Sequence, residues 1–160
     1  MAPAEAVEIR EFLPGDEEAF RRLNEEWIVR YFTLEKKDVE ALSTPRETIL
    51  DRGGRILFAM HGGAAVGCCA LVAIGPGEFE VAKMAVTESA QGLGIGRRLL
   101  EATVATARVA GAVRLFLETN HVLEPAIRLY ESVGFRHIPA DRKKASPYAR
   151  SDVQMELILG

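Results

Sequence analysis

Cysteine is scarce in this chain. There are two in 160 residues, and they are adjacent, Cys68 and Cys69. Neighbours on a strand point to opposite faces, so the two are not expected to pair. Reduced core thiols in a cytoplasmic protein are the natural reading. No apolar run approaches the length of a membrane span. There is no excess of positive charge: the net charge is −3, which gives no electrostatic footprint for nucleic acid. Met1–Ala6 has neither a basic stretch nor an apolar core, so no signal peptide is expected. Internal repeats and low-complexity linkers are absent, and no metal site is read. What remains is ordinary for a globular protein, with 48% hydrophobic and 27% charged residues. The length suggests one domain over 1–160 that buries about two-thirds of its unfolded surface.

The chain is organised around residues 80–110. Glu80-Val-Ala-Lys-Met-Ala-Val86 reads as a strand, and Gln91-Gly92-Leu93-Gly94-Ile95-Gly96-Arg97-Arg98 as a turn opening a helix that runs to about Ala110. Backbone N–H groups at a helix N-terminus lack intrahelical partners and are free to bind an anion. The helix dipole adds roughly half a positive charge there. Gly92, Gly94 and Gly96 remove side chains that would hold a phosphate off the backbone, and Arg97 and Arg98 add cationic donors. The physical reading is a pyrophosphate cradle.

Two common cradles fail on spacing. A dinucleotide fingerprint starting at Gly92 needs Gly or Ala at 97, where Arg97 stands, and no Gly-Lys-Ser/Thr completes a P-loop. Gln-x-x-Gly-x-Gly, Gln91 to Gly96, fits instead. With it, Ala126-Ile127-x-Leu129-Tyr130-Glu131-x-x-Gly134-Phe135 forms a second motif. In these two motifs the sequence resembles the GNAT superfamily of N-acetyltransferases, over roughly residues 55–160. Leu117-Glu118-Thr119-Asn120 before the second motif looks closer to one bacterial subgroup. The resemblance implies an α/β fold: a mixed, largely antiparallel central sheet with a parallel splayed pair and flanking helices.

Local patterns supply the elements. Val7–Leu13 alternates as a strand, and Asp16 is a good N-cap for a helix over about 17–32 with Phe20, Leu23, Trp27 and Tyr31 at helical spacing. Trp27, Tyr31 and Phe32 read as packing residues or as walls of an acceptor pocket. Residues 33–53 suggest one or two short helices, the second started by Pro45 and capped by Ser43 or Thr44. Strands follow at Arg55–Met60, Ala65–Ile74 and Glu78–Val86, with Gly62-Gly63 and Gly75-Pro76-Gly77 as turns. Gly111 closes the long helix, and Val113–Thr119 is expected as the parallel neighbour of Glu78–Val86. Pro125 and Gly134 bracket the next helix. Arg136–Ile138 and Val153–Leu159 are the last strands, joined by a polar, basic loop. His61 reads as a solvated loop histidine.

The resemblance carries roles onto particular residues. Acetyl-CoA is the implied co-substrate, its pyrophosphate on Gln91, Gly92, Leu93, Gly94, Gly96 and Arg97. Its pantetheine arm pairs with the backbone of Met84, Ala85 and Val86, and the Met84 N–H polarises the thioester carbonyl. Tyr130 matches the family's general acid and also touches the cofactor. Glu80, eleven positions before Gln91, matches the strand glutamate that serves as base in some members. A solvated edge carboxylate is the equal alternative for Glu80, and Glu118 and His121 are rivals as base. Many members carry Asn seven residues before the tyrosine; here that residue is Leu123, with Asn120 as the nearby substitute. The implied function is transfer of an acetyl group to a primary amine by direct attack in a ternary complex. The alternative is a non-catalytic acyl-CoA-binding module or sensor. The basic loop admits an acidic acceptor, and family analogy alone implies a homodimer.

Overall fold

The computed structural model describes residues 7–160. The expected lack of a signal at Met1–Ala6 lies outside them. Seven strands form one sheet: β1 (Glu8–Glu11), β2 (Arg55–His61), β3 (Ala64–Gly75), β4 (Glu78–Val86), β5 (Arg114–Thr119), β6 (Arg136–His137) and β7 (Val153–Ile158). Their spatial order is β1-β2-β3-β4-β5-β7-β6. Each neighbouring pair is antiparallel except β4 and β5, which run parallel. This is the mixed α/β sheet expected from the motifs. The helices are α1 (Glu17–Tyr31), α2 (Lys36–Ser43), α3 (Pro45–Thr48), α4 (Ile95–Val109) and α5 (Glu124–Val133). Among the described residues no helix is long and apolar enough to cross a membrane.

Each face of the sheet carries its own core. Phe20 and Leu23 of α1 and Leu42 of α2 pack with Ile56, Phe58, Cys68 and Ala70 on one face. Leu99 and Val104 of α4 pack with Leu57, Cys69, Leu71 and Leu115 on the other. The alternation of a strand therefore sends adjacent Cys68 and Cys69 into opposite cores, both as free thiols. Burial of this extent contributes roughly 1.5–3 kcal/mol for each large apolar side chain. Gly111 and Gly134 end α4 and α5 with φ of 85° and 116°, the left-handed conformation that favours glycine.

Several local expectations need correction. Asp16 does not cap α1 with its side chain. Its carboxylate instead accepts the Leu13 N–H at 2.7 Å and pairs with Arg10 at 2.7 Å, so the neighbouring guanidinium on β1 takes the oxygen a cap would need. Thr44 likewise makes no side-chain cap; its carbonyl receives the Thr48 N–H and hydroxyl. The long helix begins at Ile95, because Gly94 in the left-handed region cannot be its first turn. His61 is half-buried at the end of β2, with Nδ1 enclosed and without a partner among the described residues, and is not a solvated loop residue.

Candidate active site

The site lies where β4 leaves β5. Their pairing covers only Glu78–Arg114, Phe79–Leu115 and Glu80–Phe116. β4 then runs on to Val86 without a strand along that edge. A bulge marks the departure: Ala82 lies opposite Ala70 and Ala85 opposite Cys68, so Lys83 and Met84 together face Cys69. Lys83 sits at φ 54°, the left-handed region, at a cost of about 1–2 kcal/mol. The extra residue also reverses the strand's alternation. Phe79 and Val81 belong to the α4-side core, whereas Ala85 belongs to the α1-side core and Met84 packs on the α4 side. Glu80 and Met84 therefore do not share a face, contrary to strict alternation.

Two clefts open along this edge. One is lined by Met84, Ala85, Val86, Gln91, Gly92, Gly94, Gly96 and Tyr130, most of the predicted cradle. The N–H groups from Gly92 through Arg97 donate to no acceptor among the described residues, and the first helical bond is Arg98 N–H to the Gly94 carbonyl at 3.2 Å. Gly92 and Gly94 have φ of 84° and 74°, and a Cβ on either would enter open space, not protein. Free donors, an open backbone and the N-terminus of a 15-residue helix fit the pyrophosphate of acetyl-CoA. Gln91 Nε2 donates to the Val86 carbonyl at 3.2 Å, tying the turn to the strand. Leu93 is 60% exposed and does not line the cleft. The Arg97 guanidinium is held by the Ser132 hydroxyl at 2.6 Å and by Glu101 at 3.4 Å.

The second cleft is lined by Trp27, Ile28 and Phe32 from the α1 segment, Glu80 and Lys83 from β4, Glu118 from β5, and Tyr148 and Arg150 from the last loop. Trp27, Met84 and Tyr130 line both clefts. Trp27 and Phe32 thus form walls, while Tyr31 is largely exposed beside Trp27. Glu80 has no hydrogen-bond or ion-pair partner among the described residues. Burial and the Glu118 charge push its carboxyl up to about 7, with Lys83 pulling the other way. Glu118 accepts from Ser151 Oγ at 3.1 Å and Gln154 Nε2 at 3.3 Å, both on one oxygen. Burial and the Cys69 sulfur raise the Tyr130 phenol, which keeps its proton. Burial likewise pushes the Cys69 thiol up to about 12, so it offers no thiolate near neutral pH.

Two sequence candidates stand elsewhere. Asn120 lines the second cleft, not the cradle, and both ends of its amide are engaged: Nδ2 donates to the Arg150 carbonyl at 2.8 Å and Oδ1 accepts the Val122 N–H at 2.9 Å. Leu123 faces the same cleft. His121 is exposed on a loop, paired with Asp152, outside both linings.

Sequence reasoning missed the groups that brace the second cleft. Asp38 of α2 is fully buried. It accepts Arg150 at 2.6 and 2.9 Å and the Glu35 N–H at 2.8 Å, and lies 3.6 Å from Lys83 Nζ. Lys83 Nζ also donates to Tyr148 Oη at 2.9 Å. Burial alone would raise the Asp38 carboxyl, but these bonds and charges hold it below the ordinary range. The network joins α2, the bulge and the last loop. Its one local signal was Glu35 three residues before Asp38; the partners at 83 and 150 have no sequence periodicity to reveal them.

Known proteins resemble this chain in sequence and in fold. The sequence profile of the Acetyltransferase (GNAT) family matches residues 17–135. An IAA acetyltransferase of Azospirillum brasilense is 42% identical over 95 residues, 59% of this chain and 60% of the relative's length. The N-alpha-acetyltransferase RimI of Mycobacterium tuberculosis is 39% identical over 88 residues, 53% of this chain and 54% of the relative. The chain therefore spans little more than half of these curated relatives. Among solved structures, a GNAT-family acetyltransferase of Staphylococcus aureus superposes with a TM-score of 0.87 at 19% identity, covering 97% of this chain and 100% of that one. The yncA protein of Salmonella typhimurium, solved with its cofactor acetyl-CoA, superposes at 0.72 with 21% identity, over 97% and 95%. With a family match across most of its length and the same fold, this chain belongs to the GNAT acetyltransferase family.

Proposed function

We propose that this protein moves an acetyl group from acetyl-CoA to a primary amine, by direct attack with both substrates bound. The observation that carries the reading is the meeting of two clefts at Met84, Trp27 and Tyr130, a free-donor cradle in one and an unpartnered carboxylate in the other. Acetyl-CoA supplies the reactive thioester. The turn from Gly92 to Arg97 binds its pyrophosphate, and the open edge of β4 over Met84–Val86 aligns its arm. The Met84 N–H donates to the carbonyl oxygen as charge develops there.

Glu80 is the base. An amine is largely protonated in neutral water and must lose a proton to attack; a carboxyl raised to about 7 is partly ionised there and is more basic than an ordinary carboxylate, so it can take that proton. The nitrogen forms its bond to the acetyl carbon, the carbon–sulfur bond breaks, and Tyr130 Oη gives its proton to the leaving sulfur; the second proton, which the nitrogen sheds on becoming an amide, restores the Tyr130 phenol, and Glu80 releases the first to solvent. Tyr130 suits this because its burial keeps the phenol protonated. Direct transfer fits better than a cysteine relay, since Cys68 and Cys69 are buried, protonated thiols. The activity is assigned to a single cytoplasmic domain over 1–160.

The relatives are named for different acceptors, IAA in one and an N-alpha position in another, so this chain's acceptor is read from its own residues. The test is mass spectrometry of a panel of primary amines incubated with acetyl-CoA and enzyme. Acetylated product from wild type, and at least about a hundredfold less from Glu80→Gln, is the expected result. Tight acetyl-CoA binding with no product from any amine would favour a non-catalytic acyl-CoA-binding module.

A further inference from the structure

The basic loop near the second cleft invites an acidic acceptor, but its charges are already matched. Arg150 is bound by Asp38 and Glu35, and Lys83 by Asp38 and Tyr148. Arg114 pairs with Glu78 and Glu156, and Arg142 with Glu156. Lys143 Nζ donates to the Asp152 carbonyl. Among the described residues the Lys144 ammonium has no partner; it is exposed and outside the lining of this cleft, in an adjoining groove that Glu80 and Glu118 also border. The charge left open at the floor is negative. It comes from Glu80, which has no partner, and from the second oxygen of Glu118. The walls above it are Trp27, Ile28, Phe32 and Leu123.

Building on the acetyltransferase reading, we infer that the acceptor is an apolar or aromatic primary amine with no acidic group beside its nitrogen. The argument is one of sign. An incoming ammonium meets two carboxylates and is attracted. A carboxylate next to that nitrogen is carried to the same floor, where it meets like charges, and the two cations that line the cleft, Lys83 and Arg150, are already paired. Like charges forced together in a partly dry site are strongly disfavoured. The apolar walls accept a hydrocarbon or aromatic body and offer nothing to an anion. Asp38 is central to this selectivity. By holding Arg150 and Lys83 it withholds the two cations that line this cleft.

The test compares phenethylamine, phenylalaninamide and phenylalanine as acceptors, with kcat/KM expressed per free-base amine. The amide matches the amino acid in size and differs in charge. Phenethylamine and phenylalaninamide should each exceed phenylalanine by about a hundredfold. Glu118→Gln should shrink the gap between amide and acid by about tenfold, as one like charge is removed. Equal use of phenylalanine overturns the inference. So does an amide as poor as the acid, which would make size the selector, and so does an unchanged gap in Glu118→Gln. If other amines are acetylated but none of these three, the inference falls and the acetyltransferase reading stands. If acetyl-CoA does not bind, that reading falls first.

Discussion

The wholly buried carboxylate of Asp38 accepts two hydrogen bonds from the guanidinium of Arg150, 112 residues away, at 2.6 and 2.9 Å. Arg150 keeps 18% of its side-chain surface, so the pair is largely withdrawn from water. Removing one partner leaves the other charge without compensation. Asp38→Ala is expected to destabilise the fold by about 3–5 kcal/mol, measured by urea unfolding at pH 7. The pH dependence has a definite sign. A carboxyl held below its ordinary range contributes stability above the unfolded value, near 4, and loses it as pH falls through the folded value. The gap between wild type and Asp38→Asn should therefore narrow in acid.

As the proposed base, Glu80 is expected to set the acid limb of activity. As a base it must be ionised, so kcat should fall as pH drops below about 7. Removing the neighbouring charge with Glu118→Gln should move this limb to lower pH. A limb that stays in place would assign it to another group. Glu80 also has a linked effect on stability. Its folded value lies above the unfolded one, so its contribution is fully present below the unfolded value and is lost as pH rises through about 7. Glu80→Gln should raise the melting temperature more at pH 8 than at pH 5.

The role proposed for Tyr130, which lines both clefts, is to protonate the leaving sulfur and not to hold the cofactor by charge. Tyr130→Phe keeps the ring contact with Phe135, where the centroids are 6.1 Å apart. It removes only the hydroxyl. Turnover should fall by about a hundredfold while acetyl-CoA affinity changes little. Parallel rate and binding measurements separate the two, and a matched loss in both would make Tyr130 a binding residue.

The glycine turn and the strands around it were legible because their signals are local. Gly92 and Gly94 show by residue type the backbone they adopt, and β4 has the bounds its apolar pattern predicts. The parallel pairing of β4 and β5 followed from the intervening helix. Its early end at Glu80 did not, because a bulge at Lys83 leaves no mark when the residue in the left-handed region is lysine and not glycine. The same bulge puts Glu80 and Met84 on different faces, where unbroken alternation would put them on one. Asn120 was legible as a polar group near the site, but its partners, the Arg150 carbonyl and the Val122 N–H, depend on where the last loop lies. Asp38, Lys83 and Arg150 are far apart in sequence and look like solvated charges until the fold brings them together.

Calorimetric titration of acetyl-CoA into wild type and Gly94→Glu tests the central claim most directly. Gly94 has an open space above it, so a glutamate there puts a carboxylate where the pyrophosphate is to sit. The left-handed backbone adds a folding cost of about 1–2 kcal/mol, which circular dichroism will monitor. The account predicts wild-type binding in the micromolar range, about −8 kcal/mol at a Kd of about 1 μM, and its loss in a folded variant. A wild type that takes up no acetyl-CoA, or a folded Gly94→Glu that binds it unchanged, would contradict the cradle and the transfer reaction built on it.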